Sequence, residues 1–131
     1  MNRLHIIFFW EEMNKKEIIR KYKETVQPMG VYQIKNLKNH KLFIGSTKDI
    51  RARINRIKFQ LKTGSYSHKE IQQDYFEAGE TGFSVEVLDL LSTIEHLDEN
   101  YDEELELLEQ LWLDKIQPYG DKGYNKIKNN N

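Results

Sequence analysis

The sequence predicts a small α/β domain with a three-stranded, mainly antiparallel sheet flanked by helices. The length of 131 residues and the hydrophobic fraction of 38% fit a single core. Periodic patterns follow one another in the order helix, hairpin, helix, helix, strand, helix, which favours a sheet packed against helices. The chain has no cysteine, so a disulfide framework and a thiolate metal site are excluded. We therefore expect a cytoplasmic protein with no membrane association.

The N-terminal part of the chain, residues 1–29, is predicted to be an appendage followed by a helix. Its apolar run Ile6–Trp10 is far shorter than the roughly 20 residues of a membrane-spanning helix. Residues 1–12 fit an upstream-start extension, or an extra strand or helix that docks on the body. From Asn14, an apolar residue at every fourth position predicts a helix of about a dozen residues that ends near Pro28.

A β-hairpin is predicted next. Val31–Ile34 and Leu42–Ile44 are rich in β-branched and aromatic residues, and the polar segment Lys35–Lys41 suits the turn between them. Two strands joined by so short a connection pair antiparallel.

Two helices follow the hairpin, each with a start and a stop signal. Thr47 is the expected N-cap of the first helix, and Gly64 is its expected end. Ser67 begins a capping box that opens the second helix, which ends at Gly79. In both segments apolar residues recur at helical spacing.

The last third of the core is predicted to contain one strand and one long helix. Alternation over Phe83–Val87 indicates the third strand. An acidic linker, Glu95–Glu104, then leads to the apolar stripe Leu105–Ile116 of a helix that stops at Pro118. We expect the polar tail, residues 127–131, to be frayed.

The formal net charge of −1 conceals two oppositely charged halves of the chain. Residues 1–79 hold 16 Lys or Arg against 8 Asp or Glu, whereas residues 80–131 hold 4 against 13. Within Gly30–Lys69 ten basic residues are opposed only by Asp49. Such a stretch would attract a polyanion such as DNA, although a solvated helix face gives the same pattern.

Five short motifs stand in a fixed order between Gly30 and Asn125. They are Gly30-Val31-Tyr32, Phe43-Ile44-Gly45, Arg53, the polar segment Ser67–Gln72, and the late pair Glu109 and Asn125. In this order and spacing the chain resembles the GIY-YIG nucleases. The resemblance implies that residues 30–126 form a GIY-YIG-like domain.

The resemblance also implies an activity, the divalent-metal-dependent hydrolysis of DNA phosphodiester bonds. Its catalytic residues would be Tyr32, Arg53, Glu109 and Asn125. Glu109 would bind one Mg²⁺ or Mn²⁺ together with waters and phosphate oxygens, and Arg53 would neutralise charge on the phosphoryl oxygens. Tyr32 would orient or deprotonate the attacking water, for which its hydroxyl must become more acidic. Asn125 would position the site by hydrogen bonding.

The expected nucleic-acid contacts are basic or imidazole side chains around these motifs. They are Lys41, Lys48, Arg51, Arg56 and His68. Because the core motifs use nearly all of Gly30–Asn125, sequence specificity is expected to come from inserted loops, the N-terminal segment or a partner protein. The oligomeric state is open.

Three departures from the family pattern favour an alternative. Phe43 has no hydroxyl where the family has tyrosine, Ile57 stands where a histidine is usual, and Tyr66 replaces a further histidine of many members. His40 and His68 are the candidate substitutes. The chain is then either a slow or specialised nuclease or a catalytically reduced domain that binds nucleic acid or protein. Phe43 and Ile57 are assigned to the core.

Overall fold

The computed structural model describes residues 14–17, 20, 28–91 and 100–127. Within these residues three strands form one antiparallel sheet in the order β2-β1-β3. The strands are β1 (Gly30–Asn36), β2 (Leu42–Thr47) and β3 (Phe83–Leu90), and the helices are α1 (Ile50–Thr63), α2 (Lys69–Ala78) and α3 (Asp102–Ile116). The predicted α/β class and antiparallel sheet are confirmed. No helix in the described part of the chain is long and apolar enough to cross a membrane.

The central strand β1 determines which residues face the two layers of helices. Successive strand residues point to opposite faces of a sheet, so Val31 and Tyr32 enter different clusters. Tyr32 faces α1 and α2 and packs with Ile34, Ile57, Leu61 and Ile71. Val31 faces α3 and packs with Ile44 and Leu113. The sheet is therefore covered on both faces, and Ile57, 1% exposed, lies in the core as predicted.

The third strand is longer than its alternating pattern predicts. Phe83 and Val85 are buried as expected, but Val87 is 47% exposed. Val87 pairs with Tyr32 next to a register shift between Val31 and Tyr32. An irregularity of this kind twists the strand locally and changes which side chains reach the core.

The N-cap of α1 is Asp49, so the prediction of Thr47 was wrong. Thr47 is still paired with Gly30 as the last residue of β2, and the chain must turn before a helix can begin. The side chain of Thr47 serves that turn, accepting a hydrogen bond from the backbone N–H of Asp49 at 3.2 Å. Asp49 in turn accepts one from the N–H of Ala52 at 3.1 Å. The predicted end is confirmed, because Gly64 adopts the left-handed conformation with φ 80°.

The cap of α2 also differs from the prediction. The helix begins at Lys69, so the capping position falls on His68 and not on Ser67. Nδ1 of His68 accepts a hydrogen bond from the N–H of Ile71 at 3.4 Å. The helix ends at Gly79 as expected, with φ 81°.

The final helix begins inside the predicted acidic linker. Asp102–Glu104 form its first turn, where three carboxylates lie at the positive end of the helix dipole. The linker prediction was therefore wrong for these three residues, while residues 92–99 lie outside the described part. The helix ends at Ile116, followed by Gln117 in a left-handed conformation and by Pro118.

The predictions for the chain ends are only partly addressed by the structure. Residues 14–17 and 20 are helical, as the apolar periodicity from Asn14 predicts, while the start of that helix stays a prediction. The remainder of that helix, the apolar run Ile6–Trp10 and residues 128–131 lie outside the described residues. The domain boundaries at residues 29 and 126 stay predictions.

Candidate functional site

Tyr32 lies at the centre of the site, in the middle of the sheet. It is 4% exposed and stands opposite Gly45 of the edge strand β2. A Cβ atom at position 45 would lie 2.4 Å from the Tyr32 hydroxyl oxygen and 2.6 Å from Cζ. The phenol ring therefore runs across β2 through a slot that exists because residue 45 has no side chain.

Arg53 approaches the same hydroxyl from α1. Its positive charge lowers the pKa of Tyr32, so the guanidinium group lies near that hydroxyl. Arg53 also lines a cleft of about 640 Å³. Ser46 and Thr47 at the end of β2, together with Leu105 of α3, form other parts of its wall. The cleft thus lies where β2, α1 and α3 meet.

The pKa of Tyr32 is raised above its ordinary value of 10.0, chiefly because burial disfavours the phenolate. The nearby guanidinium of Arg53 opposes this shift, and the negative charge of Glu109 adds to it. The hydroxyl is therefore protonated at neutral pH, able to donate one hydrogen bond and accept another. The protein alone does not lower the pKa of Tyr32 as expected, because burial raises this pKa by more than Arg53 lowers it.

Glu109 reaches the site from α3, on the opposite layer. Its side chain is partly exposed, and it makes no salt bridge or side-chain hydrogen bond with the other described residues. No group of three or more His, Cys, Asp or Glu side chains suited to a metal occurs in the described residues. A single, partly exposed carboxylate fits a hard cation such as Mg²⁺, which keeps several waters and takes phosphate oxygens as further ligands.

Asn125 fastens the C-terminal segment to the outer edge of β2. Its Oδ1 accepts a hydrogen bond from the N–H of Ile44, and its Nδ2 donates to the carbonyl oxygen of Ile44, both at 2.9 Å. The N–H of Tyr124 donates to the carbonyl of Leu42, also at 2.9 Å. Because both atoms of its amide are used, Asn125 is placed to fix β2 and the Gly45 slot.

His68 makes a hydrogen bond through each ring nitrogen. Nδ1 accepts from the N–H of Ile71 at 3.4 Å, so Nε2 carries the proton and donates to the carbonyl of Tyr124 at 3.1 Å. The ring also lies edge-on to Phe43, with centroids 5.6 Å apart. With both nitrogens engaged, His68 links α2 to the C-terminal segment, and proton transfer would require breaking one of these bonds. His40 lies in the hairpin turn, exposed, with φ 65°.

Among the predicted DNA contacts, two lie beside Arg53. Arg56 and Lys48 line the same cleft. Lys48 forms an exposed ion pair with Asp102 at 2.6 Å. Arg56 and Arg53 make no salt bridge with the other described residues. The fold therefore gathers a cationic cleft around the site.

The other predicted basic contacts lie elsewhere. Arg51 faces a separate pocket near β3 that Val87 also lines. Lys41 bonds to Glu70 at 3.0 Å and lies over the ring of Tyr124, 5.4 Å from its centroid. The sequence shows which residues are charged but not which way their side chains point. Arg51 and Lys41 were therefore predicted as DNA contacts together with Lys48 and Arg56.

The sequence motifs contained two residues of the site to which no role was assigned. Gly45 had a further signal, a glycine inside a strand opposite an aromatic residue. Tyr66 was noted only as a departure at a position where many family members have histidine. It packs on the cluster that contains Tyr32, and it interacts electrostatically with Tyr32 and Arg53.

Comparison with known proteins gives a consistent result. A family model described as the GIY-YIG catalytic domain matches residues 28–125. The solved catalytic domain of homing endonuclease I-TevI is 26% identical, with a TM-score of 0.60, over 76% of this chain and 99% of that one. A glutamate-to-alanine variant of the catalytic domain of intron endonuclease I-TevI is also 26% identical, with a TM-score of 0.58, over 76% and 93% of the two chains. No curated protein matches the sequence.

Proposed function

Because the chain belongs to the GIY-YIG catalytic-domain family, whose fold is that of a nuclease, we propose that it is a divalent-metal-dependent DNA endonuclease. The observation that carries this proposal is the meeting of Tyr32, Arg53 and Glu109. These three side chains come from β1, α1 and α3, and the charges of Arg53 and Glu109 both act on the Tyr32 hydroxyl. Phosphodiester hydrolysis needs a group that orients water, a cation for the phosphoryl oxygens and a ligand for a metal ion.

Arg53 would neutralise the charge that develops on the phosphoryl oxygens. Its guanidinium group makes no ion pair with a carboxylate among the described residues, so its charge is available to a phosphate. Its guanidinium group lies near the Tyr32 hydroxyl before the substrate arrives. A preorganised donor of this kind is typically worth about 10²–10³ in rate.

Glu109 would hold a single Mg²⁺ or Mn²⁺. When bound, such an ion neutralises phosphate charge and lowers the pKa of a coordinated water. The charge of Glu109 contributes to the raised pKa of Tyr32. Neutralising that carboxylate would lower the pKa and bring the phenol closer to a role in proton transfer.

Tyr32 would orient the attacking water through its neutral hydroxyl. A protonated phenol donates one hydrogen bond and accepts others, and the Gly45 slot restricts where it can lie. Asn125 would act indirectly as a positioning residue, since its two bonds to Ile44 fix β2 one residue before the slot.

Double-stranded DNA would lie along the cationic cleft and be held through its phosphates. Arg53, Arg56 and Lys48 line that cleft together with one acidic residue, Asp49, and Lys48 is paired with Asp102 of α3. Binding through phosphates is weakly sequence-dependent and strongly salt-dependent. Sequence specificity would therefore come from a partner protein or another segment of the chain. The site of action would be the cytoplasm.

A second candidate, a catalytically reduced domain that binds DNA without cutting it, is favoured by two residues. Ile57 is buried in the core at 1% exposure, and Phe43 packs between Tyr32 and His68 without a hydroxyl. General acid–base groups at such positions would each contribute roughly 10²–10⁴ in rate.

The test is nicking of supercoiled plasmid with Mg²⁺ or Mn²⁺. The wild-type protein is compared with Tyr32→Phe, Arg53→Met and Glu109→Ala, and with Tyr75→Phe and Glu106→Ala as matched controls. The endonuclease proposal expects nicking that is lost in the first three variants and kept in the two controls. Nicking that persists unchanged in the first three would contradict the assigned site. Salt-dependent DNA binding without nicking would favour the second candidate.

A further inference from the structure

The end of β3 carries a bulge that turns two consecutive side chains toward the same layer. Val31 pairs with Asp89 and Tyr32 pairs with Val87, which leaves Leu88 as the extra residue. In a regular strand Leu88 and Asp89 would point to opposite faces of the sheet. Here Leu88 packs on the cluster that α3 shares with the sheet, and the carboxylate of Asp89 also contacts α3. The bulge therefore places a charged acceptor where strand alternation would not.

The contact between Asp89 and α3 is a hydrogen bond from a tryptophan. Nε1 of Trp112 donates to Oδ2 of Asp89 at 3.0 Å, and Oδ1 of Asp89 accepts the N–H of Leu90 at 2.9 Å. One carboxylate oxygen is thus tied to β3 itself and the other to the helix. The indole packs on the cluster beneath α3, and the ammonium group of Lys115 lies 5.0 Å from its ring centroid. The Trp112 ring is therefore held on several sides.

The backbone that carries Asp89 is fixed against β1. Gly30 pairs with Leu90, and a Cβ atom at position 30 would overlap the carbonyl oxygen of Asp89. The N–H of Leu91 donates to the carbonyl oxygen of Met29 at 2.9 Å. The end of β3 can approach β1 this closely because residue 30 has no side chain. The glycine of the first motif therefore helps to determine where the Asp89 carboxylate lies.

The hydrogen bond restricts α3 in directions that its apolar contacts leave free. Leu105 and Leu113 are buried against the rest of the fold, but the hydrophobic effect is non-directional. A hydrogen bond weakens steeply when its donor and acceptor are misaligned, so it opposes rotation and sliding of the helix. Glu109 and Trp112 are three residues apart on one helix surface, about 4.5 Å along its axis. A movement of α3 that broke the bond would carry Glu109 with it.

We propose that Asp89 and Trp112 are positioning residues, whose hydrogen bond holds α3 so that Glu109 meets the divalent ion and a DNA phosphate together. The inference rests on the proposed function for the role of Glu109. It gives a role to the bulge in β3 and to a tryptophan one turn beyond the metal ligand. Neither side chain would contact the ion or the substrate.

The test measures how a divalent ion changes DNA binding, so that it does not depend on cleavage. Binding of a short duplex is followed by fluorescence anisotropy without metal and with Ca²⁺, which takes oxygen ligands as Mg²⁺ does. In the wild-type protein Ca²⁺ should tighten the Kd about tenfold, an effect of ordinary size for two coupled ligands. Glu109→Gln should abolish this gain, because the ion then loses its carboxylate ligand.

The variants of the hydrogen bond should keep metal-free binding and lose most of the Ca²⁺-dependent gain. Trp112→Phe keeps an aromatic ring and removes the donor, and Asp89→Ala removes the acceptor. Asp89→Asn keeps one acceptor oxygen for the indole N–H and should restore most of the gain. The N–H of Leu90, which is exposed, can then bind water.

Ile116→Ala is the matched control for a structural role. Ile116 packs on the same cluster at the end of α3, so its truncation weakens the helix packing without removing a directional contact. Its thermal midpoint is measured beside those of Trp112→Phe and Asp89→Ala. The control should keep the Ca²⁺-dependent gain, even where it is the less stable protein.

Each outcome decides at least one of the two proposals. Loss of the gain in Trp112→Phe and Asp89→Ala, with the gain kept in Ile116→Ala, supports the positioning role, even if the wild-type protein never nicks DNA and the endonuclease proposal fails. A full gain in folded Trp112→Phe or Asp89→Ala overturns that role, even if nicking is observed. An equal loss in Ile116→Ala also overturns it, since any weakening of α3 would then suffice. A wild-type Kd that responds to neither Ca²⁺ nor Mn²⁺ overturns both proposals.

Discussion

Replacing Gly45 with alanine should slow DNA nicking strongly while leaving the protein folded. The new Cβ would lie 2.4 Å from the Tyr32 hydroxyl oxygen, 2.6 Å from Cζ and 3.0 Å from Cε1. Ordinary contact needs about 3.4 Å or more between such atoms, so the ring must withdraw by about 1 Å. Gly45 lies opposite Tyr32 in a sheet whose register is fixed by paired strands, so the ring and not the backbone is expected to move.

A displacement of about 1 Å at a catalytic group typically costs about 10²-fold in rate. Overpacking of a core costs about 1–3 kcal/mol in the free energy of unfolding. We therefore expect Gly45→Ala to fold, to be less stable by that amount, and to nick plasmid about 100-fold more slowly at 25 °C with saturating Mg²⁺.

The matched control is Gly82→Ala, in the turn immediately before β3. There the new Cβ would lie 2.6 Å from the Cβ of Ala78, an overpacking of similar size away from Tyr32. Thermal unfolding followed by circular dichroism measures the loss of stability in both variants, and plasmid nicking measures the rate. The reasoning is refuted if folded Gly45→Ala cuts at the wild-type rate, or if Gly82→Ala loses activity equally.

Three further outcomes follow from the same contacts. Glu109→Gln should lower the pKa of Tyr32, since it removes a negative charge that raises it; NMR titration of ¹³Cζ-labelled tyrosine measures this, and an unchanged pKa would contradict the placement of Glu109. Asn125→Ala removes two hydrogen bonds to the edge strand and should cost about 2 kcal/mol of stability in urea unfolding; a loss below about 0.5 kcal/mol would show that the C-terminal segment is not fixed by this amide. The pKa values of Tyr66 and Tyr124 are raised by burial from 10.0 to about 12, so the stability they contribute is present below pH 10 and is lost as the pH rises from 10 to about 12; a thermal midpoint that stays constant over this range would contradict it.

The sequence was sufficient for the architecture but not for the positions at which elements begin. Strong alternation and helical periodicity located the strands and helices, because burial on one face imposes those periods. Two caps were misplaced because Thr47 and Ser67 are good capping residues by type, while tertiary pairing decides which residue occupies the cap. Thr47 remains paired with Gly30, which moves the cap of α1 to Asp49.

The candidate site shows a similar division. The ordered motifs identified Tyr32, Arg53 and Glu109, which the fold brings together from three elements. The charge pattern of the sequence could not show which way each side chain points. Arg51 was therefore grouped with Arg56, although the two line different pockets. The position of Tyr66 depends on a loop held by Gln72, a tertiary contact that has no local sequence pattern.

The central claim is that this domain cuts DNA with one divalent ion held by Glu109. Its most direct test is the single-turnover rate of plasmid nicking as a function of Mg²⁺ concentration, for the wild-type protein and Glu109→Gln. The account predicts a rate that saturates with a Hill coefficient of one for the wild type, and a loss of at least 100-fold for Glu109→Gln at every Mg²⁺ concentration. Nicking that continues in excess chelator, or a Glu109→Gln protein that cuts at the wild-type rate, would contradict it.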